Sequence, residues 1–130
     1  MKYRNSHSAV IIAAREEPII RVLERALKGV GVDVDRAHSH RQLLRKCNTR
    51  HYRLIISRFV APLVQSRGEV ARLRGCGPAT HLFVLSHTRD ERVVVTLLER
   101  GVSQFLSLPV SLSRLMCKIE QELHKDSWLC

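Results

Sequence analysis

"RLIISRFVAPL", residues 53–63, is the stretch whose reading decides the fold. Its apolar run, Leu54-Ile55-Ile56, ends at Ser57-Arg58, and the chain then continues to Pro62. A run this short, bounded by polar residues, reads as a buried strand. In an open α/β sheet, the residues just past the carboxyl end of a central strand line the crevice where ligands bind. Chemistry on phosphate or on a metal ion calls for a carboxylate at that point. This chain supplies Arg58.

The same kind of apolar run recurs on both sides of it. "AVIIAA" (9–14) is a strand by composition and length. Glu17-Pro18 then opens a helix, with proline acceptable in its first turn, and Ile19, Ile20, Leu23, Ala26, Leu27 and Val30 follow helical spacing. Gly31 turns the chain into "DVDRA" (33–37), a second strand. Ser39 caps a helix to about Cys47, with Leu43, Leu44 and Cys47 on its inner face. After the third strand, residues 59–66 read as a loop, followed by a modest helix over about 67–74 and a break at "GCGPAT" (75–80). "HLFVLS" (81–86) is strand four, a helix covers about 90–100, and "SQFLSL" (103–108) is strand five. Ser111 caps a last helix with Leu112, Leu115, Ile119 and Leu123 in one stripe.

Five strands, each followed by helix and with no hairpin signals between them, require a parallel sheet with helices on both faces. Right-handed crossovers make it doubly wound. The expected fold is therefore α/β, a three-layer flavodoxin-like doubly wound five-stranded parallel sheet. A chain of 130 residues fits a single domain, with its core over about 9–124, and suits the N-terminal part of a larger regulator.

Hydrophobic residues make up 45% of the chain, enough for an ordinary core, and no apolar stretch has the length of a membrane helix. The N-terminus lacks the pattern of a signal peptide, so the cytoplasm is the expected compartment and no membrane partner is expected. Cys47, Cys76, Cys117 and Cys130 are widely spaced, which favours reduced thiols over a disulfide scaffold. Cys76, beside arginine in "RGCGP", lacks an evident base and reads as a loop thiol rather than a nucleophile. His38, His40, Cys47 and His51 do not have the spacing of a zinc site. Neither a metal nor another cofactor is expected.

Charge is distributed unevenly. Lysine and arginine number 22 against 12 acids, a formal net charge of +10. From Arg36 to Arg74 the single acid is Glu69, a composition that suits an acidic partner such as nucleic acid, an anionic surface or an acidic protein. The chain has neither an aromatic stacking platform nor a helix-turn-helix pattern, so nucleic-acid binding stands as an alternative.

The ordered pieces "VIIAAREEPIIRVLERAL", "GVDVDRA", "YRLIISRFVAP", "LFVLS" and "LLERGVSQFLSLPVSLSRL" resemble a response-regulator receiver domain, the CheY-like family, from about residue 9 to 123. Receivers accept a phosphoryl group on an aspartate, hold Mg²⁺ with acidic residues and contact the phosphate with a lysine. Carried over residue by residue, the resemblance places Arg15 and Glu16 at the acidic pair and Arg58 at the phosphoacceptor. Ser86 falls at the hydroxyl position, Leu108 at the lysine and Phe105 at the aromatic switch. Arginine is not a nucleophile and stays protonated, and one carboxylate among cations does not suit an ion that wants several oxygen ligands. The resemblance therefore implies a pseudo-receiver without enzymatic activity, working through a protein partner or a second copy of itself. A purely structural dimerisation role is the alternative.

Two finer expectations follow. Arg58 is expected to pair with Glu16, standing in for the metal. In "ERVVVTLLERG" (91–101) the apolar residues cannot all face one sheet, because a helix turns about 100° per residue. Val94, Leu97 and Leu98 are expected to face the core, leaving Val93 or Val95 at an interaction face that the resemblance associates with dimers and partners.

Overall fold

The computed structural model describes residues 9–75 and 80–124. The chain runs β1 (Val10–Ala13), α1 (Pro18–Gly29), β2 (Val34–Ala37), α2 (His40–Cys47), β3 (Leu54–Ser57) and α3 (Ala61–Gln65), then α4 (Glu69–Arg74), β4 (His81–Ser86), α5 (Glu91–Glu99), β5 (Gln104–Ser107) and α6 (Leu112–Leu123). All pairings are parallel and the sheet order is β2-β1-β3-β4-β5. This is the expected three-layer doubly wound sheet. The chain moves outward from β1 to β2, then returns to place β3 on the other side of β1. That reversal opens a crevice at the carboxyl ends of β1 and β3.

Alternation along the strands builds two cores. Val10, Ile12, Leu54, Ile56, Phe83, Leu85 and Leu106 point to the face covered by α1 and α6. Ile11, Ala13, Ile55, Leu82 and Val84 point to the face covered by α2, α3, α4 and α5. β1 and β3 are buried along their whole length, as central parallel strands must be. Truncating a side chain such as Ile56 to alanine costs about 2–5 kcal/mol, because the cavity it leaves collapses only in part.

Local chemistry sets the helix starts. The hydroxyl of Ser39 accepts from Gln42 N, the carboxylate of Asp90 from Arg92 N, and the hydroxyl of Ser111 from Arg114 N. Each such cap contributes about 1 kcal/mol. Gly101 ends α5 with φ at 106°, a left-handed conformation that a side chain would strain. No helix among the described residues is long and apolar enough to cross a membrane.

The structure departs from the sequence reading in the segment 59–66. Instead of a loop it contains α3, with Pro62 in its first turn and no side-chain cap. Five residues carry too little periodicity to announce a helix, and this one is held by tertiary bonds. Arg100 Nη1 donates to the carbonyl of Leu63 at 2.8 Å and also to that of Val64.

A second departure concerns α5. Leu97 is its buried residue, and Val93 packs against the same core from one turn earlier. Leu98 is 47% exposed and Val95 51% exposed. Leu98 therefore lies outside the core, Val94 is only half-buried, and Val93 packs into the core instead of remaining at the surface. With five apolar residues in two turns, the sequence left the phase of the helix open, and the sheet selects the row containing Val93 and Leu97.

Candidate functional site

The crevice at the carboxyl ends of the strands is where Arg15, Glu16, Glu17, Arg58 and Ser86 emerge. Parallel register aligns Ala13 with Ser57, and Arg58 N donates to the carbonyl of Ala13 at 2.9 Å. Ser57 is fully buried, and its hydroxyl accepts from Phe59 N. That turn sends the Arg58 side chain across the mouth of the crevice.

There the guanidinium joins three elements. Nε donates to Glu17 Oε1 at 2.6 Å, Nη2 reaches Glu17 Oε2 at 3.4 Å, and Nη1 donates to the carbonyl of Leu85 at 2.9 Å. Glu17 sits at the N-cap of α1 in extended conformation, yet its side chain makes no cap hydrogen bond. It is drawn to Arg58 instead. Leu85 lies near the end of β4, directly before Ser86. The Ser86 hydroxyl accepts from Thr88 N, and its carbonyl accepts from Leu108 N.

The expected partner of Arg58 is thus corrected by one residue, from Glu16 to Glu17. Glu16 is more than half exposed and lies 3.5 Å from Nη1 of Arg36. Arg36 is itself anchored by Glu24 at 3.0 Å and by the carbonyl of Ala14 at 3.1 Å. Burial would push the Glu24 carboxyl up, but Lys28 and Arg36 together hold it below the ordinary value. Arg15 is exposed and makes no bond among the described residues. Leu108, where the resemblance calls for a lysine, is buried in the core beneath α1 and α6. Phe105 packs partly buried against the opposite core.

This donor set does not suit a magnesium ion. The two carboxylates nearest the crevice face guanidinium groups, and an ion would have to displace them to gain oxygen ligands. Among the described residues no group of three or more His, Cys, Asp or Glu side chains is placed to hold a metal. His40 pairs with Glu69 at 2.5 Å, while His38 and His51 are exposed. Cys76 and Cys130 lie outside the described residues.

The basic stretch from Arg36 to Arg74 is divided by the fold. Arg36, Arg50 and Arg58 hold carboxylates, Lys46 donates to the carbonyl of Arg36, and Arg74 to that of Gly101. Arg41, Arg45 and Arg67 remain as exposed cations. Sequence reading missed the structural parts played by Glu17, Arg36 and Arg100. The available signals were slight: Glu17 directly precedes Pro18, and Arg100 directly precedes Gly101 at a helix end.

No protein-family model and no curated protein matches this sequence. Solved structures do resemble the fold. The signal receiver domain of an HD-domain-containing protein from Pseudomonas fluorescens Pf-5 superposes with a TM-score of 0.78 at 20% identity, covering 96% of this chain and 93% of that one. A CheY-like response-regulator receiver domain from Methanospirillum hungatei JF-1 gives 0.78 at 17%, covering 91% and 94%. An atypical orphan response regulator, described as revealing a phosphorylation-independent regulatory mechanism, gives 0.76 at 20%, covering 89% and 95%. The architecture is that of CheY-like receiver domains.

Proposed function

We propose that this chain is a pseudo-receiver, a signalling domain that takes no phosphoryl group and works through protein–protein contact. The observation that carries this reading is the Arg58 guanidinium, bonded at once to Glu17 and to the carbonyl of Leu85. Phosphoryl transfer to a receiver needs a carboxylate nucleophile at the end of β3 and a divalent cation to neutralise the transferred group. Residues 57–59 supply neither aspartate nor glutamate, and a guanidinium remains protonated at any ordinary pH.

Arg58 then serves a positioning role. It holds the start of α1, the exit of β3 and the end of β4 in one arrangement, using groups encoded in the chain rather than a transferable one. The likeness in fold to an orphan regulator described as phosphorylation-independent supports the same reading. The outward face of α5, with Val95 and Leu98 exposed, is the surface through which such a domain would meet a partner.

Incubation of the full chain with a small-molecule phosphodonor and Mg²⁺, followed by intact-mass measurement, tests the proposal. The mass is expected to stay unchanged. A stoichiometric, base-labile gain of one phosphoryl group would overturn it.

A further inference from the structure

Among the described residues, four large hydrophobic side chains are exposed, and they fall on two helices: Val22 and Val30 at α1, Val95 and Leu98 on α5. The unpaired charges beside them are opposite in sign; the exposed Arg92 next to Val95 is paired with Asp90 at 3.4 Å. On α1, Arg21 and Arg25 are exposed next to Val22 and their side chains make no bond among the described residues. On α5, Glu91 and Glu99 are exposed on either side of Val95 and Leu98 and are likewise without partners there. Most other carboxylates in the described chain are engaged by arginine, lysine or histidine, so this pair of free acids stands out in a strongly basic molecule.

We infer that α1 of one copy docks on α5 of another, a head-to-tail contact between identical chains. The inference rests on the reading that the domain works through protein contacts, and it names the partner. Helical spacing gathers each set on one face. Glu91, Val95, Leu98 and Glu99 fall at i, i+4, i+7 and i+8 and so share one face. On α1, Arg21, Arg25 and Gly29 fall at i, i+4 and i+8, and Val22, three residues before Arg25, flanks that row. The acids of α5 are eight residues apart, about 12 Å along the axis, and the arginines of α1 four apart, about 6 Å, so one arginine meets an acid directly and the other reaches along the face to the second. A Cβ at Gly29 would meet nothing within 4 Å, so this end of the α1 face is open to an approaching helix.

The two patches are not self-complementary. Two α5 faces would bring acid against acid, and two α1 faces would bring arginine against arginine, while α1 against α5 covers apolar surface and pairs the charges. α1 and α5 belong to opposite layers of the sheet. One molecule therefore presents both patches at the same time, and the contact is heterologous, extending into a ring or a chain of copies. Two helix faces bury less than a standard interface, so association is weak and favoured at high local concentration.

Sedimentation velocity on the full chain, across a range of protein and salt concentrations, tests this contact with Val22→Asp and Val95→Asp. Both valines are exposed, so neither change disturbs the core. The wild-type chain is expected to associate with increasing concentration and to dissociate as salt rises. Each variant alone is expected to remain monomeric, because each keeps one patch and loses the other. An equimolar mixture of the two is expected to form one-to-one dimers and nothing larger, since one intact α1 face meets one intact α5 face. A wild-type chain monomeric at the highest concentration would overturn the inference, as would a Val22→Asp variant that still associates with itself. Either result leaves the phosphodonor experiment unaffected, so the two readings fail separately.

Discussion

Nε of Arg58 lies 2.6 Å from Oε1 of Glu17, and the glutamate one residue earlier takes no part in that contact. Glu17 is the more enclosed of the two, at 29% side-chain exposure against 57% for Glu16. Glu17→Gln should therefore lower stability by about 1.5–3 kcal/mol, the scale of a hydrogen bond to a charged group. Glu16→Gln should stay within about 0.5 kcal/mol of the parent, as surface changes usually do. Urea denaturation midpoints separate the two. Equal losses at both positions would contradict the asymmetry.

Geometry matters at Arg58 as well as charge. A lysine ammonium is a point charge on a flexible stem and cannot reproduce the fork that bonds Glu17 and the Leu85 carbonyl together. Arg58→Lys should recover less than half of the stability lost in Arg58→Ala, for which a loss of about 2 kcal/mol is expected. Thermal unfolding of the three proteins provides the comparison. A lysine variant matching wild type would show that the bond to Leu85 contributes nothing.

Arg100 closes the carboxyl end of α3 by donating to carbonyls that the last turn of so short a helix leaves without intrahelical partners. Arg100→Ala should raise amide exchange in residues 63–66 by about tenfold, equivalent to roughly 1.4 kcal/mol of lost protection. Amides of α1 and α6, across the sheet, should be unchanged. Uniform acceleration through both layers would mean that the variant loosens the whole fold.

The hydroxyl of Tyr52 donates to Asp35, and both burial and that carboxylate push its ionisation above the ordinary phenol value of 10.0. The folded chain thus keeps a proton that the unfolded chain releases. This contribution is fully present below the ordinary value and is lost as pH rises past it toward the folded-state value. Denaturation series from about pH 9 to about pH 11 should show falling stability, and Tyr52→Phe should flatten that fall while costing about 1 kcal/mol near neutrality. An unaltered slope in the variant would assign the alkaline loss to other groups.

The strands and the long helices were readable because each carries its own signal: a short apolar run, a capping Ser39 or Ser111, a terminating Gly101. The order of these signals defined the sheet. What escaped reading was settled between elements. The five-residue α3 depends on Arg100, which caps the end of α5 37 residues beyond Leu63. The phase of α5 depends on which of its valines the sheet covers. Arg58 was legible as a cation at a strand end, but choosing Glu17 over Glu16 required the extended backbone at the start of α1, which turns the second carboxylate inward. In the basic stretch, composition showed the excess charge and could not show that Arg36 and Arg50 spend theirs inside the fold.

The bond between Arg58 and Glu17 also bears on time. An acyl phosphate hydrolyses, so a receiver that carries one has a clock and returns to rest when the mark is gone. An ion pair between two encoded side chains has no such lifetime; it is available whenever the chain is folded. Under the proposed function, this domain then carries no clock of its own, and its signal has to be ended by something outside the crevice.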